Sequence, residues 1–214
     1  MWQRRLAAPW VKPTLLVLCA LPAMWLWWAG FTDRLGANPA EALIRGLGDW
    51  TLRLLCLTLL ITPLRQAFGL AALAAWRRGL GVWTFAYASQ HALAYAWLDM
   101  GLGLDEVASD VAQRPFIALG FVAWLCLLPL AATSFNRAMR WLGAARWRRL
   151  HQAVYAVAGL AIAHFYWMRA GKNHFTEVYV YAGLLALLLG WRVGRWARAP
   201  RSAGGAPVGL RPRD

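Results

Sequence analysis

Four histidines occur in the 214 residues, and His91, His151 and His164 stand inside long apolar runs. Ionisable groups in hydrocarbon cost free energy, so their presence there calls for a partner. An imidazole also offers a neutral nitrogen that binds metals well. The other candidate groups are sparse. Cys19, Cys56 and Cys126 each lie alone in an apolar run with no Cys-x-x-Cys, which reads as small packing residues. The runs hold almost no Asp or Glu, which argues against a carboxylate-held iron. No Ser-His-Asp or His-Glu-x-x-His arrangement appears. His174 falls in a polar connection and reads as a surface residue.

The elements that must hold these histidines follow from the distribution of apolar residues. The chain is 60% hydrophobic and only 15% charged, against a usual charged share of about 25%. A spanning helix needs roughly 20 apolar residues. Six such runs occur, at about 13–30, 50–68, 80–98, 115–133, 150–168 and 178–194. Arg53 lies in the first turn of the second run, where its side chain is expected to snorkel to the interface. The expected fold is therefore all-α, a polytopic membrane bundle of about six transmembrane helices over 1–198, with no internal repeat. A tail at 199–214, rich in Arg, Gly and Pro, reads as disordered and cytoplasmic.

Net charge is +14, and its placement decides between partners. Basic residues gather before the first run, between the second and third (Arg65, Arg77, Arg78), between the fourth and fifth (Arg137 to Arg149), and after the sixth. The connection between the third and fourth runs is acidic, with Asp99, Asp105, Glu106 and Asp110. Bases in alternate connections follow the positive-inside rule and place both termini in the cytoplasm. A nucleic-acid binder would instead present one continuous basic face. Several tryptophans near run ends fit the headgroup region. The first run is long for a cleaved signal peptide and reads as a retained helix. Asn38-Pro39-Ala40-Glu41 carries a helix-start signature and predicts a short surface helix in the first acidic-side loop.

Depth then selects the histidines. His91 is 11 residues into the third run and His164 is 14 into the fifth. Both runs point the same way, so the two rings differ in depth by only about 5 Å. Two such helices can present imidazoles to one porphyrin from opposite faces, closing both axial positions of the iron. Ala88, Ala94 and Thr84 around His91, and Val157, Gly159, Leu160 and Ala161 around His164, leave room for a flat ring. His151 lies about 20 Å from His164 along the run and, on a straight helix, roughly 140° away in azimuth. The third run supplies no second histidine, so a second haem there would need another ligand, a single ligand or a bent helix.

The strings Leu35-Gly-Ala-Asn-Pro39, Leu59-Leu-Ile-Thr-Pro-Leu-Arg65, Arg78-Gly-Leu-Gly81 through Trp83 to His91, Arg114-Pro-Phe116, Ala132-Thr-Ser134 and Arg148-Arg-Leu-His151 resemble the MsrQ (YedZ) family. These are haem-binding membrane subunits of the periplasmic protein-methionine-sulfoxide reductase system, within the ferric-reductase-like transmembrane domains. The resemblance implies a multi-pass protein of the bacterial inner membrane that carries electrons and is not itself the catalytic subunit. It implies b-type haem, with His91, His151 and His164 as axial ligands of haem iron, and FMN. One haem is expected, with a second left open because this chain lacks the further histidine that related ferric reductases carry on the third helix. The implied donor is the quinone pool or a cytoplasmic flavin reductase. The implied acceptor is a periplasmic molybdopterin methionine-sulfoxide reductase, which the acidic connection would help dock. Membrane lipid is a partner and nucleic acid is not. The competing readings are an autonomous ferric reductase or oxidase-type cytochrome and a non-redox membrane transporter.

Overall fold

The computed structural model describes residues 5–171 and 173–198; the tail expected over 199–214 lies outside the described residues. The described part is all-helical. Its main helices, in chain order, are α1 (Val11–Phe31), α2 (Pro39–Phe68), α3 (Ala74–Leu98), α4 (Leu104–Gln113), α5 (Pro115–Ala132), α6 (Asn136–His151), α7 (Val154–Ala170) and α8 (Thr176–Ala197). Four of them, α1, α2, α5 and α8, are long and apolar enough to cross a membrane. The two that carry His91 and His164 fall short of that description for visible reasons. Helix α3 has 25 residues but includes Arg77, Arg78, Gln90 and His91, and α7 has only 17 residues.

The helix-start signature at Asn38 is real, but it opens no short surface helix. Asn38 Oδ1 accepts the Glu41 N–H at 3.2 Å and Pro39 takes the first helical position. Nothing breaks the chain after it, so α2 runs 30 residues to Gly69, whose left-handed φ of 65° ends it. Arg53 consequently sits well inside α2. Its Nε donates to the Tyr181 hydroxyl at 3.2 Å and its guanidinium lies 4.9 Å from the Trp50 ring. The expected snorkelling is replaced by these internal partners.

Two packing layers build the bundle. One joins α1, α2 and α3 through Ala23, Leu26, Leu47, Leu54, Leu80 and Tyr87. The other joins α2, α3, α5, α7 and α8 through Leu55, Leu59, Ala88, Leu127, Val157 and Leu185. Helix α2 contributes to both, and its pairing with α3 and that of α5 with α7 are the most extensive in the molecule.

Two helix-internal prolines, Pro22 and Pro63, are answered by side chains from elsewhere. Pro22 disturbs α1, and the buried Tyr87 hydroxyl enters the gap, accepting from Ala23 N–H at 2.9 Å and donating to the Cys19 carbonyl at 2.7 Å. Pro63 has no N–H to give the Leu59 carbonyl four residues earlier. Arg192 of α8 supplies it, Nη2 donating to Leu59 and Nη1 to Leu188.

Candidate functional site

His91 of α3 and His164 of α7 face each other near the acidic end of the bundle. Their ring centres are 6.2 Å apart and their planes lie 77° from parallel. Two imidazoles sharing one metal at N–metal bonds of about 2.0–2.1 Å place their ring centres roughly 6.3 Å apart. The pair is thus spaced to hold one metal between two ring nitrogens.

Each ring is held by a different helix through the same nitrogen. His91 Nδ1 lies 2.8 Å from the Ile44 carbonyl on α2, and His164 Nδ1 lies 2.6 Å from the Phe116 carbonyl on α5. A carbonyl only accepts, so Nδ1 carries the proton in both rings. That leaves both Nε2 lone pairs for a metal and makes the rings more basic ligands. Four residues after each carbonyl stands a glycine. A Cβ on Gly48 would lie 3.2 Å from His91 Cε1 and Nδ1, and one on Gly120 would lie 2.9 Å from His164 Nδ1. Sequence reasoning looked for space beside the histidines on their own helices and passed over these two positions. Glycine inside an otherwise apolar spanning run is the available signal, since it marks close approach of another element.

His151 is placed elsewhere. It ends the basic helix α6, and the turn at 152–153 separates it from α7. Both turn residues, Gln152 and Ala153, keep right-handed helical backbone angles. Thr133 Oγ1 already donates to the Pro129 carbonyl at 2.6 Å, so its oxygen accepts from His151 Nε2–H at 3.0 Å. Trp147 stacks on the ring with centres 4.0 Å apart.

His151 lines a cleft at the basic end, with about 1130 Å³ of empty space out to its mouth. Four arginines reach it: Arg65, Arg77, Arg78 and Arg192. Apolar walls come from Leu55, Leu59, Leu127 and Leu130, and no acidic side chain and no second histidine lines it. Arg78 is held by Asn136 Oδ1 and Arg192 by the two carbonyls already named. Cations in a partly apolar cleft favour an anionic ligand, and guanidinium groups match phosphate and carboxylate oxygens. Among the described residues, no group of three or more His, Cys, Asp or Glu is arranged to hold a metal ion.

The acidic connection folds as α4. Asp110 is not free to meet a partner: its carboxylate takes the Tyr95 hydroxyl and pairs with Arg114 Nε at 2.7 Å, leaving its side chain 10% exposed. Asp105 and Glu106 remain exposed. Burial raises the Asp99 pKa, with Arg114 opposing and the nearby Glu41 and Asp110 charges adding to the rise. His174 is exposed.

The model of the family described as "Ferric reductase like transmembrane component" matches residues 47–162, just over half of the chain. That segment includes Gly48, His91, Gly120 and His151 and stops two residues before His164. The chain is 52% identical over 210 residues to the protein-methionine-sulfoxide reductase heme-binding subunit MsrQ of Polaromonas naphthalenivorans, covering 97% of this chain and 96% of that one. It is 50% identical over 188 residues to the subunit of the same name from Bordetella pertussis, covering 88% and 91%. With the Ralstonia nicotianae subunit it shares 46% identity over 199 residues, 92% of each chain. No solved structure matches. A multi-pass membrane chain that matches at this identity over nearly its whole length, and shares the ferric reductase like transmembrane component, belongs to the MsrQ family.

Proposed function

We propose that this chain is a membrane b-type cytochrome that hands electrons across the bacterial inner membrane to a methionine-sulfoxide reductase, for repair of oxidised periplasmic proteins. The observation that carries the reading is the His91–His164 pair, 6.2 Å apart with both Nδ1 atoms engaged by backbone carbonyls. Haem supplies a one-electron carrier. His91 and His164 would hold its iron through their free Nε2 atoms, and ligation by two imidazoles would favour electron transfer over oxygen chemistry. The relatives' name, heme-binding subunit, supports the same assignment.

The topology that fits this role has six spans, with α3 and α7 crossing beside α1, α2, α5 and α8, and both termini cytoplasmic. The charge pattern supports it, because Arg65, Arg77, Arg78 and the Arg137–Arg149 cluster share one end while Asp99, Asp105 and Glu106 share the other. The histidine pair then lies toward the periplasm and the arginine-rimmed cleft toward the cytoplasm.

In this reading the cleft would hold the FMN that the family resemblance implies, with Arg65, Arg77, Arg78 and Arg192 available to its phosphate. His151 borders that ligand and does not share an iron with another histidine. Electrons enter there from quinol or a cytoplasmic flavin reductase and leave past His164 to a periplasmic molybdopterin partner near α4. Asp105 and Glu106 are the charges available for docking it.

A pyridine haemochrome assay with flavin quantification tests the whole scheme. One haem and one flavin per chain are expected in wild type. His91→Ala and His164→Ala should each lose most of the haem, and His151→Ala should keep it. A colourless wild type, or full haem after loss of both His91 and His164, overturns the reading. Two haems and no flavin would instead assign the cleft to a haem on His151.

A further inference from the structure

We propose that Gly48 and Gly120 are positioning residues for the metal-binding imidazoles, each forming with the carbonyl four residues before it a backbone seat for one ring. The proposal rests on the haem reading above and adds to it the part of the chain that aims the ligands.

The two seats share one plan. On α2, Ile44 provides the carbonyl and Gly48 the open face; on α5, Phe116 and Gly120 do the same. Carbonyl and glycine are four residues apart in both, one helical turn on the same face. The seated histidine follows its carbonyl by 47 residues in the first case and 48 in the second. Each carbonyl has two lone pairs and can serve its own helix and the imidazole together. The glycine matters because the ring lies against helix backbone, where any larger residue meets it. The chain thus contains two seat-and-ligand units, α2 with α3 and α5 with α7. Within the seats only the Leu-Gly step repeats, Leu47-Gly48 and Leu119-Gly120, followed in each unit by a histidine, which is too little to register as a sequence repeat.

The seats are not equally tight. A methyl at Gly120 would stand 2.9 Å from Nδ1 and 3.0 Å from Cε1 of His164, so ring or helix must move. A methyl at Gly48 would stand 3.2 Å from the nearest His91 atoms, so a few tenths of an ångström suffice. Moving either ring stretches the Nδ1–H bond and turns Nε2 away from the shared iron.

The test uses the full-length chain in detergent. Gly120→Ala should weaken haem retention by about ten-fold, in line with loss of a metal ligand's supporting partner. Gly48→Ala should retain more haem than Gly120→Ala while shifting its midpoint potential and low-spin EPR g-values. Gly183→Ala, where an added methyl meets nothing within 4 Å, should match wild type. Wild-type occupancy, potential and EPR spectrum in both Gly48→Ala and Gly120→Ala would overturn the seats while leaving the haem reading intact. If those variants fail to accumulate, wild type decides: ring N–H protons that persist in pulsed EPR spectra after transfer to deuterated buffer support the seats, and immediate exchange of both overturns them.

Discussion

The two ends of this bundle solve ligand binding in opposite ways. At the acidic end, two imidazoles are clamped by backbone carbonyls and face each other. At the basic end, one imidazole is turned into a wall by Thr133 and Trp147, and four guanidinium groups line an open cleft. The first arrangement selects by coordination geometry, the second by charge. The difference teaches that histidines in membrane helices can be held in unlike ways: backbone carbonyls at His91 and His164 take Nδ1 and leave Nε2 open, whereas the Thr133 hydroxyl meets Nε2 of His151.

Breaking the comparison starts with the ligands. His164→Ala should reduce electron delivery to the reductase partner by at least about 100-fold, since loss of an axial ligand removes the haem on which the path depends. His151→Ala should lower it far less. Stopped-flow haem reoxidation by the partner reads both, and equal losses would erase the contrast between the two ends.

The next effect belongs to the cleft. Arg77→Ala combined with Arg78→Ala should release flavin, with affinity down by about ten-fold or more as charge-assisted bonds are lost. Haem content should stay at wild type. Flavin fluorescence after acid precipitation, read beside the Soret band, separates the two; joint loss of both cofactors would mean that the ends are not independent.

Arg192→Ala sharpens the picture of the cleft wall. It leaves the Leu59 carbonyl without a partner, at a cost of about 1–3 kcal/mol. Thermal unfolding in detergent should show the drop, and Arg192→Ala together with Pro63→Ala, which restores an N–H to that carbonyl, should recover part of it.

The smallest effect is expected outside the bundle. Asp105→Lys with Glu106→Lys should raise the KM for the partner a few-fold and change its salt dependence, as charges at an interface rim act mainly on encounter. Asp110→Asn should act on folding of the α4 segment, because Asp110 is committed to Tyr95 and Arg114. A docking defect in Asp110→Asn with intact stability would count against that division.

Much of this was legible in the chain. Run length and alternating charge gave an all-helical membrane bundle, and matched depth singled out His91 with His164. What stayed hidden was lateral. Depth along an axis follows from counting residues, but which helix stands beside a ring does not, so Gly48 and Gly120 looked like ordinary glycines. Arg53 looked like a residue that would reach for water because its Tyr181 partner is 128 positions away. The turn between His151 and α7 was obscured because Gln152 and Ala153 include no Gly or Pro to mark it. The acidic cluster read as four equivalent charges until Tyr95 and Arg114 claimed one of them.

Helix α2 touches both ends, seating His91 through Ile44 and Gly48 and then lining the cleft with Thr58, Leu59 and Thr62. At about 1.5 Å and 100° per residue, this single rod acts as a ruler and a protractor. Along α2, Gly48 is separated from the cleft-lining residues Leu55 to Thr62 by roughly 10–21 Å of helix rise, whatever the loops do. One residue inserted between 48 and 58 would swing one place around the axis by more than a quarter turn relative to the other. Length in that segment is therefore the least negotiable quantity in the chain, more so than the identity of most side chains along it.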